Sequence, residues 1–305
     1  MMFMKIVIFG AGAIGSLFGA YLSKTEDVTL AARKPHVDAI KSKGLAVIEK
    51  GKKIIFNPKA VCSVEEIDFI PDLVMITVKS YDTLNAIREI KKKIEGNTIV
   101  LSLQNGLDNI EKIKTELGKD ENIIAGVTMH GVTFLQPGLI DHTGAGETII
   151  GELNGKITDR VNEIAKMFSK SNLATKVSDN IFSVIWEKAI INSAINPLTA
   201  IFQCRNGYLL ENPFLEKLLE EICKESANIA RCTGVELPSV DCIIKRTKKV
   251  VRGTARNFSS MLQSIQQGKK TEIESINGVI IKIAMEKKLP YTLNNILFKL
   301  ITEYH

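Results

Sequence analysis

Residues 5–22 read Lys-Ile-Val-Ile-Phe-Gly-Ala-Gly-Ala-Ile-Gly-Ser-Leu-Phe-Gly-Ala-Tyr-Leu, and the reading of this stretch decides the fold. Lys5–Phe9 has the β-branched and aromatic composition of a strand, and residues 13–23 have that of a tightly packed helix. Between them Gly10-Ala11-Gly12-Ala13-Ile14-Gly15 fits G-x-G-x-x-G. In such a turn the first glycine allows the bend and the second lets the backbone approach a pyrophosphate. The third lets the helix pack closely on the strand, while the helix N-terminus points its N–H groups at the phosphates. Residues 6–22 also carry no charge and follow Lys5, the outline of a secretory signal. Glycines at 10, 12, 15 and 19 argue against it, and the run falls short of the roughly 18 to 20 apolar residues of a membrane span. The stretch is read as strand, phosphate turn and helix, with Met4 as an alternative start.

Working outward, the end of the second strand reads Ala31-Ala32-Arg33-Lys34. An NAD-specific enzyme commonly places Asp or Glu there, about 20 residues past the glycines, to hold the ribose hydroxyls. Arg33 instead offers a planar fork to a 2′-phosphate and Lys34 a second positive charge, so NADPH is the expected cofactor, with NADH as a secondary one. The plainer reading of Arg33 and Lys34 is a solvated basic loop. A P-loop is disfavoured because no Lys-Ser or Lys-Thr follows Gly15.

The chain has 305 residues, 45% hydrophobic and 24% charged, enough for two domains. A net charge of +6 is too thin to imply wrapped nucleic acid. Five cysteines, without a C-x-x-C, indicate neither a disulfide framework nor a zinc knuckle and point to a reducing, cytoplasmic setting. Sixteen of the 21 glycines precede Lys156, which separates a turn-rich first half from a helix-rich second. In the first half, short apolar runs (5–9, 28–31, 73–78, 98–103) alternate with amphipathic stretches at 81–93 and 109–117. That alternation suits a doubly wound α/β sheet, closed by further strands within 123–150 and a helix at 159–171. Beyond residues 172–179 the pattern is helical, over 181–195, 213–232, from 238, 260–267, 271–287 and a last helix after Pro290. The expected domains are 1–175, binding the dinucleotide, and 176–305, all helical.

Lys188, Asn192 and Asn196 fall at i, i+4 and i+8 in the segment 183–197 and form one slowly drifting line on a helix. Asn is a poor residue for mid-helix, so two amides aligned with a lysine point to ligand contacts as readily as to a solvent face. Downstream lie Ser259-Ser260-Met261-Leu262-Gln263 and Lys270-Thr271-Glu272, where Thr271 could cap the next helix and leave Glu272 a structural role at its N-terminus. Residues 245–256 carry six basic side chains and no acid, the mark of a solvated helix face that also raises the local positive potential. His36, His130, His142 and His305 show no ligand spacing, so no metal is expected.

Taken together, the motifs resemble the ketopantoate reductase (2-dehydropantoate 2-reductase) family over nearly the whole chain. The matching residues are Gly10 to Gly15, Arg33, Val78-Lys79-Ser80-Tyr81, Gln104-Asn105-Gly106, Lys188 with Asn192 and Asn196-Pro197-Leu198-Thr199, the Ser259 to Gln263 run, and Thr271-Glu272-Ile273 followed by Ile276-Asn277-Gly278. The resemblance implies an N-terminal Rossmann domain and a C-terminal all-helical domain of the 6-phosphogluconate dehydrogenase-like type. It implies NADPH-dependent reduction of 2-dehydropantoate to (R)-pantoate, on the route to pantothenate and coenzyme A. By resemblance Lys188 is the catalytic acid, and Glu272 assists it while also touching substrate and cofactor. Asn105, Asn192, Asn196 and Ser260 meet the substrate. Gly10, Ala11, Gly12, Ala13, Ile14, Gly15, Arg33, Lys79 and Asn105 meet the cofactor. Many relatives carry Gln where this chain has Asp82, which puts cofactor-side detail there in doubt.

The implied roles agree with the chemistry: hydride arriving at a ketone carbon leaves negative charge on oxygen, which an ammonium stabilises and then protonates. Lysine, with a reference pKa near 10.4, is charged at neutral pH, so reduction requires no downward shift. The nearest rival is a reductase of another 2-oxo or 3-hydroxy acid on the same scaffold. A dinucleotide-sensing protein without catalysis is the other. The partners expected are a small 2-oxo acid, no nucleic acid and no membrane, with a homodimer compatible with family habit.

Overall fold

A computed structural model describes residues 3–304; Met1, Met2 and His305 lie outside the described residues. The chain forms two compact units, one of residues up to Gln104 with Asn109–Ile181, the other of Asn105–Asp108 with residues from Phe182 onward.

The first unit runs β1 (Lys5–Phe9), α1 (Ala13–Leu22), β2 (Asp27–Ala31), α2 (Lys34–Lys43), β3 (Leu45–Glu49), β4 (Lys52–Phe56), β5 (Lys59–Val61), β6 (Leu73–Ile76), α3 (Thr83–Ile90) and β7 (Ile99–Ser102). It continues with α4 (Asn109–Leu117), β8 (Ile123–Thr128), β9 (Gly131–Gln136), β10 (Leu139–Gly144), β11 (Thr148–Glu152), α5 (Asp159–Lys170) and β12 (Thr175–Val177). Eight strands make one sheet in the order β12-β11-β8-β7-β6-β1-β2-β5. Its pairs are parallel except β8 with β11. Ile6, Val7, Ile8 and all of Leu73–Ile76 are fully buried, which is why these strands read as unbroken apolar runs rather than alternating ones. From β1 the chain builds outward through β2 and β5 on one side and β6, β7 and β8 on the other. The reversal at β1 and β6 is the switch point at whose carboxyl ends ligands bind in open α/β sheets.

This is the expected doubly wound α/β unit, with two additions. The strands within 123–150 do not all extend the main sheet: β9 and β10 join β3 and β4 in a second sheet, β4-β3-β10-β9. Lys34 belongs to no loop but begins α2, with Pro35 in the first turn, where its missing N–H costs nothing.

The second unit is helical: α6 (Ile181–Ile201), α7 (Tyr208–Glu211), α8 (Pro213–Arg231), α9 (Val240–Gly253), α10 (Ser260–Gln266), a π turn (Glu274–Gly278), α11 (Val279–Lys287) and α12 (Thr292–Tyr304). One face of α6 (Trp186, Ile190, Ile191, Ala194, Ile195 and Leu198) shares a core with Leu215, Leu219 and Ile222 of α8 and Ile280 and Ala284 of α11. Asn212 caps α8 by accepting from Phe214 and Leu215 N–H, and Ser239 caps α9 by accepting from Cys242 N–H. Two expectations are corrected. Residues 271–287 are not one regular helix, because Gly278 N–H bonds back five residues to the Ile273 carbonyl at 3.0 Å in the π turn. The helix expected over 181–195 continues to Ile201 with Pro197 inside it. Among the described residues no helix is long and apolar enough to cross a membrane.

Candidate active site

The glycine turn joins β1 to α1 at the switch point. Gly10 has φ +96°, and a Cβ there would lie 2.4 Å from Val78 Cγ1 and 2.6 Å from Val78 N, so only glycine lets the turn close on the segment after β6. A Cβ at Gly15 would meet Thr77 Oγ1 at 2.4 Å and the Gly10 carbonyl at 2.7 Å. Gly12 is the exception, with open space around its missing side chain and the nearest atom, the Gly10 carbonyl, 3.9 Å away. That space lies at the N-terminus of α1, which has neither a side-chain cap nor an acidic residue in its first turn. Its N-terminal N–H groups have no intrahelical acceptors, so the open cradle suits a phosphate anion. Ala11, Ala13 and Ile14 complete the turn. The residues present fit a dinucleotide pyrophosphate.

Arg33 is exposed and stands immediately before α2, at the carboxyl end of β2. Lys34 next to it pairs with Asp38 at 3.3 Å on the helix surface. One turn on lies His36, which has no metal-ligand spacing in the sequence and is buried in the fold. Its Nδ1 accepts from Gly138 N–H at 2.9 Å, so the ring proton sits on Nε2 and is donated to Ser16 Oγ at 3.0 Å. Ser16 in turn donates to the Ala11 carbonyl at 3.2 Å, so α2 braces the phosphate turn. Burial lowers the His36 pKa, which keeps the ring in the neutral form this chain of bonds requires. A lone histidine in sequence carries no such signal. Lys79 follows Val78 directly and is half-buried, which places it beside the glycine turn. Asp82, the departure from the family pattern, donates its N–H to the Lys79 carbonyl at 2.8 Å. Gln104 supports the same segment, its Nε2 donating to the Val78 carbonyl at 3.0 Å and to Thr83 Oγ1 at 2.7 Å.

In the second unit α6 presents Lys188, Asn192 and Asn196. Asn196 is buried and the other two are half-buried, so this line is not a solvent face. Glu272 is buried, and its Oε2 accepts from Asn105 Nδ2 at 3.4 Å. The four residues Asn105–Asp108 belong to this unit, and Leu107 N–H bonds the Ser275 carbonyl at 2.9 Å. Burial lowers the Lys188 pKa from 10.5 to about 8, with the Glu272 carboxylate opposing the shift. Desolvation, which sequence alone does not reveal, moves the lysine away from its reference value. Ser260 is exposed at the start of α10. Its neighbour Ser259 caps that helix and accepts from Thr199 Oγ1 of α6 at 2.7 Å, which ties Ser260 to the same helix. Lys188, Glu272 and Asn105 are thus brought together within this unit, whereas Lys79 and Arg33 belong to the other.

Outside these places His130 Nδ1 and His142 Nε2 meet at 3.0 Å across the β9–β10 hairpin, with Glu49 3.4 Å beyond His142. Among the described residues no group of three or more His, Cys, Asp or Glu is gathered as a metal site would gather them.

A parallel α/β unit with a glycine turn at its switch point, followed by a helical unit carrying a half-buried lysine beside a carboxylate, defines a two-domain oxidoreductase of the Rossmann type. Residues 6–155 match the family model described as ketopantoate reductase PanE/ApbA, and residues 180–305 match the model of its C-terminal part. The chain belongs to the ketopantoate reductase family. A 2-dehydropantoate 2-reductase of Pyrococcus abyssi is 40% identical over 301 residues, spanning 98% of this chain and 97% of that protein. Among solved structures, 2-dehydropantoate 2-reductase from Geobacter metallireducens is 28% identical with a TM-score of 0.90, covering 98% of this chain and 100% of that one. A ternary structure of D-mandelate dehydrogenase with NADH and anilino(oxo)acetate is also 28% identical, with a TM-score of 0.93 and 98% of both chains covered.

Proposed function

We propose that the chain reduces 2-dehydropantoate to (R)-pantoate with NADPH, on the route to pantothenate and coenzyme A. The observation that carries the reading is Lys188, half-buried on α6 and held charged by the Glu272 carboxylate in an otherwise desolvating setting. Bound NADPH supplies the hydride. Lys188 donates a hydrogen bond to the ketone oxygen, stabilises the charge that develops there and passes its proton to it, leaving a hydroxyl and a neutral amine that solvent reprotonates. With a pKa of about 8 the amine is about nine-tenths charged at pH 7, and its proton is more readily released than that of an ordinary lysine. The reverse oxidation, which needs neutral Lys188, then opens at mildly alkaline pH.

Glu272 keeps Lys188 charged and accepts from Asn105 and a substrate hydroxyl. Asn192 and Asn196 hold carbonyl and hydroxyl groups, and Ser260 donates to the substrate carboxylate. On the cofactor side the open space at Gly12 takes the pyrophosphate, with Gly10, Ala11, Ala13, Ile14 and Gly15 shaping the turn. Arg33 grips the 2′-phosphate, Lys79 and Asn105 line the cofactor side, and Glu272 serves both ligands. In this reading the first unit binds the dinucleotide, the helical unit that begins at Phe182 rather than at residue 176 carries the catalytic groups, and the reaction runs in the cytoplasm.

A second reading has one observation behind it: the D-mandelate dehydrogenase structure matches with a TM-score of 0.93, so the scaffold also serves another 2-hydroxy acid with NADH. Steady-state oxidation of NADPH and of NADH with 2-dehydropantoate, phenylglyoxylate and unbranched 2-oxo acids separates the two. The expected result is the highest kcat/KM for 2-dehydropantoate with NADPH; preference for an aromatic 2-oxo acid or for NADH replaces this reading by the second.

A further inference from the structure

Pro197 lies inside α6 and has no N–H to give the carbonyl four residues back, that of Ser193. Asn277 supplies a donor at that place: its Nδ2 bonds the Ser193 carbonyl at 3.0 Å. The second hydrogen of the same amide goes to Asn294 Oδ1, also at 3.0 Å. Asn294 is fixed in turn, its Nδ2 donating to Glu225 Oε1 at 2.9 Å and to Ser226 Oγ at 3.0 Å. Glu225 holds the N-terminus of α12 through Leu293 and Asn294 N–H, at 3.0 and 2.8 Å. Asn277 and Asn294 are fully buried, so each of these bonds stands where its loss leaves an unsatisfied polar group.

The positions of the two ends of this bond give it meaning. Ser193 follows Asn192 on the helix that carries Lys188. Asn277 lies in the π turn five residues after Glu272, and the extra residue of that turn sets the direction in which the segment before it, with Glu272, leaves α11. We propose that Asn277 is a positioning residue: by replacing the donor that Pro197 lacks, it pins the π turn to α6 and so holds the Glu272 carboxylate in register with the Lys188 ammonium. The proline gap and the asparagine amide act as a matched pair, one opening the site on the helix and the other filling it from the segment that bears the carboxylate. The inference deepens the proposed catalytic reading and rests on it for its consequence in turnover.

Glu272 faces Lys188 from the segment before the π turn. On α6 itself Glu187 is engaged by Arg246 of α9, and at the exposed end of the segment Lys270 pairs with Glu274 at 3.0 Å. Loss of register therefore weakens the interaction with Glu272, which is the one that raises the Lys188 pKa.

The test uses the full chain with Asn277→Ala, and with Asn277→Ala combined with Pro197→Ala. In the double variant the backbone N–H of residue 197 can satisfy the Ser193 carbonyl, so the fold recovers if the single variant loses it, while the link to the π turn stays absent. The first readout needs no substrate: titration of Lys188 by NMR of 13Cε-labelled lysine, assigned with Lys188→Arg. We expect the Lys188 midpoint to fall by about half a pH unit or more in both variants, with kcat for 2-dehydropantoate down about tenfold or more and the Kd for NADPH within about twofold. An unchanged Lys188 midpoint in a folded variant overturns the inference, as does recovery of kcat in the double variant along with its thermal stability. If the wild type fails to turn over 2-dehydropantoate while the midpoint still moves, the catalytic reading fails and the positioning role stands.

Discussion

Glu272→Gln removes one charge while keeping the size of the side chain and an oxygen to accept from Asn105. In the wild type Lys188 titrates at about 8, with burial pulling its pKa down and Glu272 holding it up. An opposite charge at close range moves a pKa by about 1 to 3 units, so the smallest expected consequence of the substitution is a fall of about one unit, to about 7. At pH 8 the charged fraction then drops from about one half to about one tenth, a loss of about fivefold from protonation alone. At pH 6 both proteins are mostly charged and the ratio narrows to what Glu272 contributes by contact. The assay is the pH dependence of kcat/KM for reduction, followed by NADPH oxidation: the alkaline limb moves about one unit toward acid in Glu272→Gln. A limb that stays in place, or moves toward alkali, refutes the claim that Glu272 sustains the charge on Lys188.

Arg33→Ala removes the fork offered to a 2′-phosphate, and a charge-assisted hydrogen bond of about 1.5 to 3 kcal/mol predicts a KM for NADPH raised about 10- to 100-fold with that for NADH little changed; equal effects on both take Arg33 away from the phosphate. Gly12→Ala meets no neighbour nearer than 3.9 Å and is expected to leave the melting temperature nearly unchanged while weakening NADPH binding, measured by titration of cofactor fluorescence. Gly10→Ala, at φ +96° and 2.6 Å from Val78 N, is expected to destabilise the first unit by about 1 to 3 kcal/mol, and equal melting temperatures for the two variants would contradict the assignment of roles within the turn. Burial, with the neighbouring His142 ring, lowers the His130 pKa from 6.5 to about 4. The unfolded chain therefore binds more protons between those values, and stability in urea falls as pH is lowered through that window, by up to about 3 kcal/mol from this ring. His130→Phe should flatten that slope; an unchanged slope removes His130 from it.

The parts of the fold legible in the sequence were those decided locally. Lys5–Phe9 and Leu73–Ile76 announce buried parallel strands because both of their faces are covered. The glycine turn is legible because Gly10 and Gly15 each answer a separate steric demand, while Gly12 leaves open space at the helix N-terminus. The second sheet escaped notice because Lys52 and Lys53 give β4 a polar, exposed face without a core-facing alternation. The beginning of α2 was hidden by Arg33 and Lys34, whose charges read equally well as a loop. Lys188, Asn192 and Asn196 could be aligned from spacing alone, yet only packing around α6 reveals that the line is withdrawn from solvent and that desolvation acts on the lysine. Glu272 was open to a cap reading, and what distinguishes it is its burial together with the bond from Asn105, 167 residues away. The Asn277 link is likewise a long-range bond. Its local half, a proline four residues after Ser193, was in the sequence, but the donor that answers it comes from 84 residues on.

The proposed function divides the labour between a dinucleotide-binding turn and a proton-donating lysine. The most direct measurement pairs two assays on Lys188→Ala: binding of NADPH by fluorescence titration, and single-turnover reduction of 2-dehydropantoate. The account predicts a Kd for NADPH within about twofold of wild type and a rate of hydride transfer lower by about 100-fold or more, the scale expected for loss of a general acid. Retention of most of the rate, or a loss of cofactor binding that explains the loss of rate, would contradict it.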